Sequence, residues 1–571
     1  MNPIDVLKKY WGYTQFRLKQ EEIINQIISN NDTLALLPTG GGKSICFQIP
    51  SLMKEGICLV ISPLISLMED QVRYLQSKGI KSAYISSNMH YHDIDTVLNN
   101  CLYGGIKFLY LSPEKLQNDL IINRIKDLNI NLIAIDEAHC ISEWGHNFRP
   151  SYRNISAIRD IIKVPILALT ASATKEVCKD IQKNLLFKKE NLIYSSFRRD
   201  NISYVVDSEL NKTSRILKLL NKIKSSTIIY VRTRKASMEL TKLLIKNNFS
   251  AEYYHAGLSI KKRESTQTKW TNNEIRIIVA TSAFGMGINK LDVKLVIHMY
   301  LPASLEQYFQ ESGRVGRNGK SSYAFLFANN SDIIEQKKIL NLKYPSTKEI
   351  LNVYQNINNY LQIGIGDFPA DPITFNIRHF NEKYNISLLK TYYVLKYLEK
   401  EGLLKFSIGK YSPSKIKFLI SSSELYKFQI SNKYYDTFIK VLLRNYTNPF
   451  DNEVIINEEK LAIYLNSSKE NVTKILYKLK QLEILKYQEK NKLDKIKFLQ
   501  ARKDLSISHI NQNKWIERKL NDENKLNKII EYIKQNKTCR SQQLLKYFGE
   551  EQIDTCNICD ICITKKKESI P

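Results

Sequence analysis

The chain has 571 residues, enough for several domains, and its 43% apolar and 25% charged content is that of globular protein rather than disordered chain. No apolar run approaches the roughly 20 residues needed to cross a bilayer. The start, Met1-Asn-Pro-Ile-Asp5, carries an acid early and no apolar signal core, so a membrane anchor and export are not expected and a cytoplasmic location is. The net charge of +28 suggests a polyanionic partner, weakly, because Lys, Ile and Asn are abundant throughout. Five of the nine cysteines (Cys46, Cys58, Cys101, Cys140, Cys178) are dispersed in apolar or small-residue surroundings and read as reduced core thiols.

Residues 1–330 alternate short apolar runs with amphipathic stretches, the signature of an α/β fold. Strands are expected at 33–37, 57–61, 107–111, 131–135 and 165–169, and again at 227–231, 275–280, 294–298 and 324–327. The patternless stretch Ser195–Ser208 reads as the connection between two parallel-sheet domains. The first strand runs into Leu37-Pro-Thr-Gly-Gly-Gly-Lys-Ser44, a phosphate-binding turn. Gly40, Gly41 and Gly42 let backbone amides curl round phosphate oxygens, Lys43 can reach the β- and γ-phosphates, and Ser44 can offer its hydroxyl to Mg2+. The strict pattern has a further glycine where this chain has Leu37.

About 90 residues on, the strand-like Asn131-Leu-Ile-Ala-Ile135 delivers Asp136 and Glu137 at its carboxyl end, where parallel sheets place ligands. Asp136 would hold Mg2+, and Glu137 would orient and deprotonate the attacking water. The following loop carries Trp144, His146, Phe148 and Arg149, groups able to stack on bases and grip phosphates, or else to anchor a packed loop. In Gln307-Tyr-Phe-Gln-Glu-Ser-Gly-Arg-Val-Gly-Arg317, Arg314 and Arg317 could reach from the second domain to phosphates held by the first.

Beyond residue 345 the pattern turns helical and repeats at an offset of 81 residues, from Ser387 to Ser468. In each copy a serine can cap a helix with one apolar stripe (Val394, Leu395, Leu398; Ile475, Leu476, Leu479), preceded by a shorter helix and followed by a strand-like run. That is the outline of a winged helix, in two tandem modules at 345–425 and 430–510. Cys539, Cys556, Cys559 and Cys562, spaced C-x16-C-x2-C-x2-C, suit four thiolates on one Zn2+ within a helical segment at 515–571.

Motif by motif and in order, residues 1–330 resemble the RecQ family of superfamily 2 DNA helicases. The resemblance implies two RecA-like lobes, at 1–200 and 201–340, closing on ATP and Mg2+. It implies that Arg17 and Gln20, in Tyr10-Trp-Gly-Tyr-Thr-Gln-Phe-Arg-Leu-Lys-Gln20, read the adenine. It adds Thr39, Gly287 and Gln310 to the nucleotide contacts and makes Arg317 the arginine finger with Arg314 its partner. His139, the aromatic loop, Thr170 and Ser172 become the elements coupling DNA to hydrolysis. Ser62-Pro-Leu-Ile-Ser-Leu-Met-Glu-Asp-Gln71 is similar to the family's first DNA-contact motif, and Tyr254–Leu258 and Ala280–Lys290 to its second-lobe motifs. The chain departs from the pattern at Asn147, Ser172, Leu291, Val315 and Asn318, none of which removes a catalytic group.

RecQ-like enzymes carry the same zinc cysteines, usually straight after the second lobe; here the winged-helix-like repeats come first. The zinc segment is still expected to dock on the second lobe, with the repeats looping out and back. No room remains for the family's terminal HRDC module, and a short bacterial-type form is expected. The resemblance implies 3′→5′ travel on single-stranded DNA, unwinding of partly duplex DNA in repair or recombination, a monomer, and a single-strand-binding protein as a partner. An RNA helicase, or a DNA-binding regulator with a degenerate ATPase, are the rival readings. The aromatic loop and zinc cysteines oppose the first; intact Lys43, Asp136, Glu137 and Arg317 oppose the second.

Overall fold

The structure, a computed structural model, describes residues 2–86, 89–143, 145, 148–285, 290–409, 413–446, 448–489, 494–504, 512–551 and 554–568. It divides into two compact units, residues 1–338 with 516–571, and residues 339–515. Among the described residues no helix is long and apolar enough to cross a membrane.

The first unit holds two parallel sheets. β1 (Thr33–Leu36), β2 (Ile57–Ile61), β3 (Ser82–Ile85), β4 (Phe108–Leu111), β5 (Ile130–Ile135), β6 (Ile166–Thr170) and β7 (Leu192–Tyr194) lie in the order β3-β4-β2-β5-β6-β1-β7. The inner strands β1, β2, β4, β5 and β6 are buried along their whole length, which is why they read as unbroken apolar runs. Just before β1, the Arg159 fork grips the Asp32 carboxylate, which also accepts from Ile166 N (3.0 Å) and so ties the start of β1 to β6. Breaking such a buried pair typically costs about 3–5 kcal/mol.

The second sheet comprises β8 (Ile202–Asp207), β9 (Ser226–Tyr230), β10 (Ala251–Tyr254), β11 (Ile277–Ala280), β12 (Val293–His298) and β13 (Ser322–Phe327), in the order β10-β11-β9-β12-β13-β8. Each pair in both sheets is parallel, so both lobes present their carboxyl ends on one edge. The stretch read as an open connection, 195–208, contains β8, which pairs with β13 as an edge strand. The four strands that the sequence pattern does not reveal are all sheet edges: β3, β7, β8 and β10. Edge strands are half-exposed and lose the continuous apolar signature.

The zinc segment covers one of those edges. The Asp560 carboxylate accepts from the Val206 amide of β8 (3.1 Å), and Ser203 Oγ donates to the Ile558 carbonyl (2.5 Å). Phe548 packs on Phe309 and Phe197 (centroids 4.9 and 5.1 Å), and Tyr532 on Tyr308 (5.6 Å). Docking on the second lobe is therefore as expected, with a further contact to the inter-lobe connection, where the Glu550 carboxylate accepts from Phe197 N (2.8 Å) and Ser196 Oγ (2.7 Å).

In the second unit, Ser387 and Ser468 cap helices Leu388–Lys400 and Lys469–Gln481 as their positions predict. Each follows a shorter helix, Ile377–Tyr384 or Glu458–Tyr464. The strands are β14 (Ile373–Phe375), β15 (Leu404–Ser407), β16 (Ser414–Phe418), β17 (Val454–Ile456), β18 (Leu485–Gln488) and β19 (Asp494–Phe498). They form two three-stranded sheets, β14-β19-β15 and β17-β16-β18, antiparallel throughout. The sequence reading put the two winged-helix modules in tandem; the pairing interlocks them. β16, which follows the first copy, is the central strand of the second, and β19, which follows the second, returns to the centre of the first. The cores divide the same way: Ile496 and Phe498 pack with Val394, Leu395 and Leu398, whereas Ile416 and Phe418 pack with Leu476 and Leu479.

Candidate functional site

The turn after β1 leads into helix Ile45–Met53, and its backbone takes the left-handed form at Gly40 (φ 84°) and Gly42 (φ 74°). At Gly42 the positive φ disfavours a side chain, and a Cβ there would also press on the Gln20 amide that braces the turn. The Gln20 amide donates to the carbonyls of Gly41 (3.3 Å) and Gly42 (3.0 Å), and its oxygen accepts from Arg17 N (2.9 Å). Here, then, Gln20 braces the turn itself. Arg17 lies over the Tyr13 ring, 5.4 Å from its centroid.

β5 delivers Asp136 and Glu137 to the same edge. Lys43 Nζ stands 3.9 Å from Glu137 Oε2. Asp136 is half-buried, and desolvation raises its carboxyl to about 6, with Lys43 pulling down and Glu137 pushing up. A carboxylate disfavoured by its surroundings is suited to a cation. Glu137 adopts a left-handed backbone (φ 49°, ψ 46°), which is uncommon for a non-glycine residue. His139 Nδ1 lies 2.9 Å from Thr170 Oγ1 and 3.4 Å from Glu137 Oε2, so one imidazole links the acidic pair to the end of β6. Thr170 Oγ1 in turn accepts from Ser172 N (3.4 Å), and both residues are buried.

The second lobe closes the site. The Cβ position of Gly40 is 3.6 Å from Arg317 Cγ, and that of Gly313 is 3.5 Å from Thr39 Oγ1. Arg317 is held to about 9, far below an ordinary guanidinium, by burial first and then by the charges of Arg314 and Arg199. Arg314 is not aimed at the turn; its guanidinium donates to the Gly285 carbonyl inside its own lobe. Val315 is buried, and Gln310 lies buried on helix Leu305–Ser312.

Sequence reasoning missed Arg199, in the inter-lobe connection. Its guanidinium donates to Thr39 O (3.2 Å), Val315 O (3.2 Å) and Gly316 O (2.8 Å), joining the phosphate turn to the arginine motif. Its only sequence signal was an Arg-Arg pair between the lobes, which carries no motif.

In the aromatic loop, Arg149 Nη1 donates to Pro63 O (2.8 Å), tying the loop to the segment 62–71, and Arg153 lies over the Phe148 ring (5.2 Å). Trp144, His146, Asn147 and Gly287 lie outside the described residues. The sulfur atoms of Cys539, Cys556, Cys559 and Cys562 all lie within 4.8 Å of one another. Thiolates about 2.3 Å from one Zn2+ stand at this kind of separation. Three amides (Arg540, Cys556, Cys562) donate to sulfurs of this cluster, at 3.5, 3.3 and 3.5 Å. The donor set fits zinc. The five dispersed cysteines are buried, and burial pushes the Cys46, Cys58, Cys101 and Cys178 thiols up to about 12, which leaves them neutral.

Two parallel-sheet lobes with a phosphate turn on one and an arginine from the other against it define the core of a helicase-type nucleotide motor. A DEAD/DEAH box helicase model matches residues 17–181 and a helicase conserved C-terminal domain model 211–319. A RecQ helicase winged-helix model described for Bacteroidota matches 416–489, and a RecQ zinc-binding model 493–563. The chain is 43% identical over 339 residues to the ATP-dependent DNA helicase RecQ of Bacillus subtilis, covering 59% of this chain and 57% of that protein. It is 38% identical over 382 residues to the probable ATP-dependent DNA helicase RecS of the same organism, covering 64% of this chain and 77% of that one. The chain belongs to the RecQ helicase family. It spans little more than half the length of the Bacillus RecQ. Among solved structures, the DNA-bound DUF1998 helicase MrfA shares the fold, with a TM-score of 0.50 at 17% identity, over 71% of this chain and 61% of that one.

Proposed function

We propose that this chain is an ATP-driven DNA helicase that uses the contact between its lobes as the switch. The observation that carries the reading is Arg317 of the second lobe lying against Gly40 of the phosphate turn on the first. Lys43 would bind the β- and γ-phosphates while Glu137 orients the attacking water and takes its proton. Mg2+, held by Ser44 and Asp136, would neutralise phosphate charge. Arg317 would stabilise charge developing on the transferred phosphoryl group, a role typically worth about 10³–10⁵ in rate. Once the phosphate leaves, Arg317 would lose the anion that links it to the first lobe, and reopening of the lobes would move single-stranded DNA along them. Zn2+ on the four cysteines would be structural.

DNA as substrate is supported by family membership and by the Phe148–Arg149 loop joined to the first DNA-contact motif. By family resemblance, travel would be 3′→5′ in repair or recombination. Comparing unwinding of duplexes with a 3′ or a 5′ tail, in DNA and in RNA, tests this: only the 3′-tailed DNA should open efficiently. Lys43→Ala should abolish ATP turnover and leave DNA binding largely intact. Turnover at the wild-type rate in that variant would refute the site.

A further inference from the structure

The loop proposed to report DNA is held on both sides of position 144 by a helix from the far end of the sequence. Arg518, on helix Gln512–Lys534, places Nε and Nη2 at 3.1 and 2.7 Å from one oxygen of Glu143. The other Glu143 oxygen meets Arg153 of the first lobe at 2.8 Å. Two turns along the same helix, Lys525 Nζ donates to the Gly145 carbonyl at 3.2 Å, from a nearly buried position. Gly145 sits so close to the acidic motif that a Cβ there would fall 2.4 Å from the His139 carbonyl oxygen. Movement of the loop is thus felt at His139, which touches Glu137 and Thr170.

The other end of the helix is anchored elsewhere. Tyr532 packs on Tyr308 in the helix leading to the arginine motif. The Tyr532 carbonyl accepts from Arg540, whose Nε meets both Asp560 oxygens at 3.1 Å beside the zinc cysteines. One helix therefore spans from the loop on lobe 1 to the arginine-bearing element and zinc site on lobe 2.

We propose that Arg518 and Lys525 are positioning residues which hold Glu143 and the Gly145 carbonyl in their DNA-free place, and so set how much single-stranded DNA is needed to speed ATP turnover. This rests on the reading of that loop as the DNA reporter. Contacts made in the DNA-free state stabilise that state, and a ligand shifts an equilibrium only by its preference for one side. Weakening them leaves less for DNA to overcome.

The test is steady-state ATP turnover of the full zinc-bound chain, titrated with a single-stranded oligodeoxythymidylate. Wild type is compared with Arg518→Gln, Lys525→Gln, Glu143→Gln and the Glu143→Gln/Arg518→Gln double variant. Arg518→Gln should lower the half-stimulating DNA concentration at least about fivefold, the lower edge of ordinary coupling between sites. Its DNA-independent turnover should rise, while turnover at saturating DNA stays at the wild-type value. The double variant should move no further than the larger single change, because the two side chains act through one contact. Arg518→Lys, which keeps the charge, should fall between Arg518→Gln and wild type. A variant that merely damages folding lowers turnover at saturating DNA and loses zinc, and that result overturns the proposal. So does an unchanged half-point in Arg518→Gln, or strict additivity in the double variant. If DNA fails to stimulate the wild-type protein at all, it is the reading of the loop that falls.

Discussion

Arg317 is a half-buried guanidinium whose charge is disfavoured by desolvation and then by Arg314 and Arg199. Like charges this close repel, and a triphosphate beside Gly40 would offset that repulsion. Arg317→Met should therefore leave the melting temperature of the nucleotide-free protein unchanged or raise it. It should shrink the shift produced by a non-hydrolysable ATP analogue with Mg2+ and slow turnover by about 10³-fold or more. Differential scanning fluorimetry and a coupled ATPase assay check both halves; a clear drop in nucleotide-free stability would show that Arg317 is a packing residue. Lys43, Asp136, Glu137 and Arg317 were legible from sequence because each sits in a short run whose residue types and spacing answer to phosphate chemistry. Arg199 was not, because its role consists of three carbonyls brought to it from two lobes.

Among elements, the interlocked pair of winged helices is where sequence periodicity stopped short. The repeat itself was visible, as were its serine caps and apolar stripes. Which strand completes which sheet was not. β16 reads Ser-Lys-Ile-Lys-Phe and β19 reads Asp-Lys-Ile-Lys-Phe, so both offer the same alternation and either could fill either slot. Register rules discriminate between faces of a strand and not between two near-identical strands. The exchange makes a specific prediction. Gly409 N donates to Asp494 Oδ1 at 2.8 Å, so the chain ends flanking the second copy already meet. Replacing residues 411–491 with a short turn should let β15 and β19 form a plain hairpin, and the first module should remain folded. Ending the first module at residue 425 instead leaves it without its central strand, and it should unfold. Circular dichroism and thermal melts of the two full-chain variants compare them; equal melting of both would mean that β19 is dispensable to the first module.

Across the whole molecule, each unit has its own buried cores, and Gly40–Ser44, Asp136, Glu137 and Arg317 all belong to the first. Ligand binding stabilises only what folds to make the site, by about 2.7 kcal/mol at a hundred times the dissociation constant. Calorimetry with saturating non-hydrolysable ATP analogue and Mg2+ should raise one transition, that of residues 1–338 with 516–571, and leave that of 339–515 in place. A common shift of both would mean that the two units unfold as one.

Local chemistry in the chain pointed to the fold class, the two series of inner strands, the phosphate turn, the acidic pair, the Arg314–Arg317 run and the zinc cysteines, while family resemblance alone singled out Arg317. Each of these depends on residues close together in sequence, or on runs whose period mirrors the backbone's own. Tertiary structure alone decided which strands trade places, that Gln20 braces the phosphate turn, and that Arg199 and Arg518 bridge distant parts. Those features arise from contacts between residues up to about four hundred positions apart, such as Glu143 and Arg518, and no local pattern encodes a partner that far away.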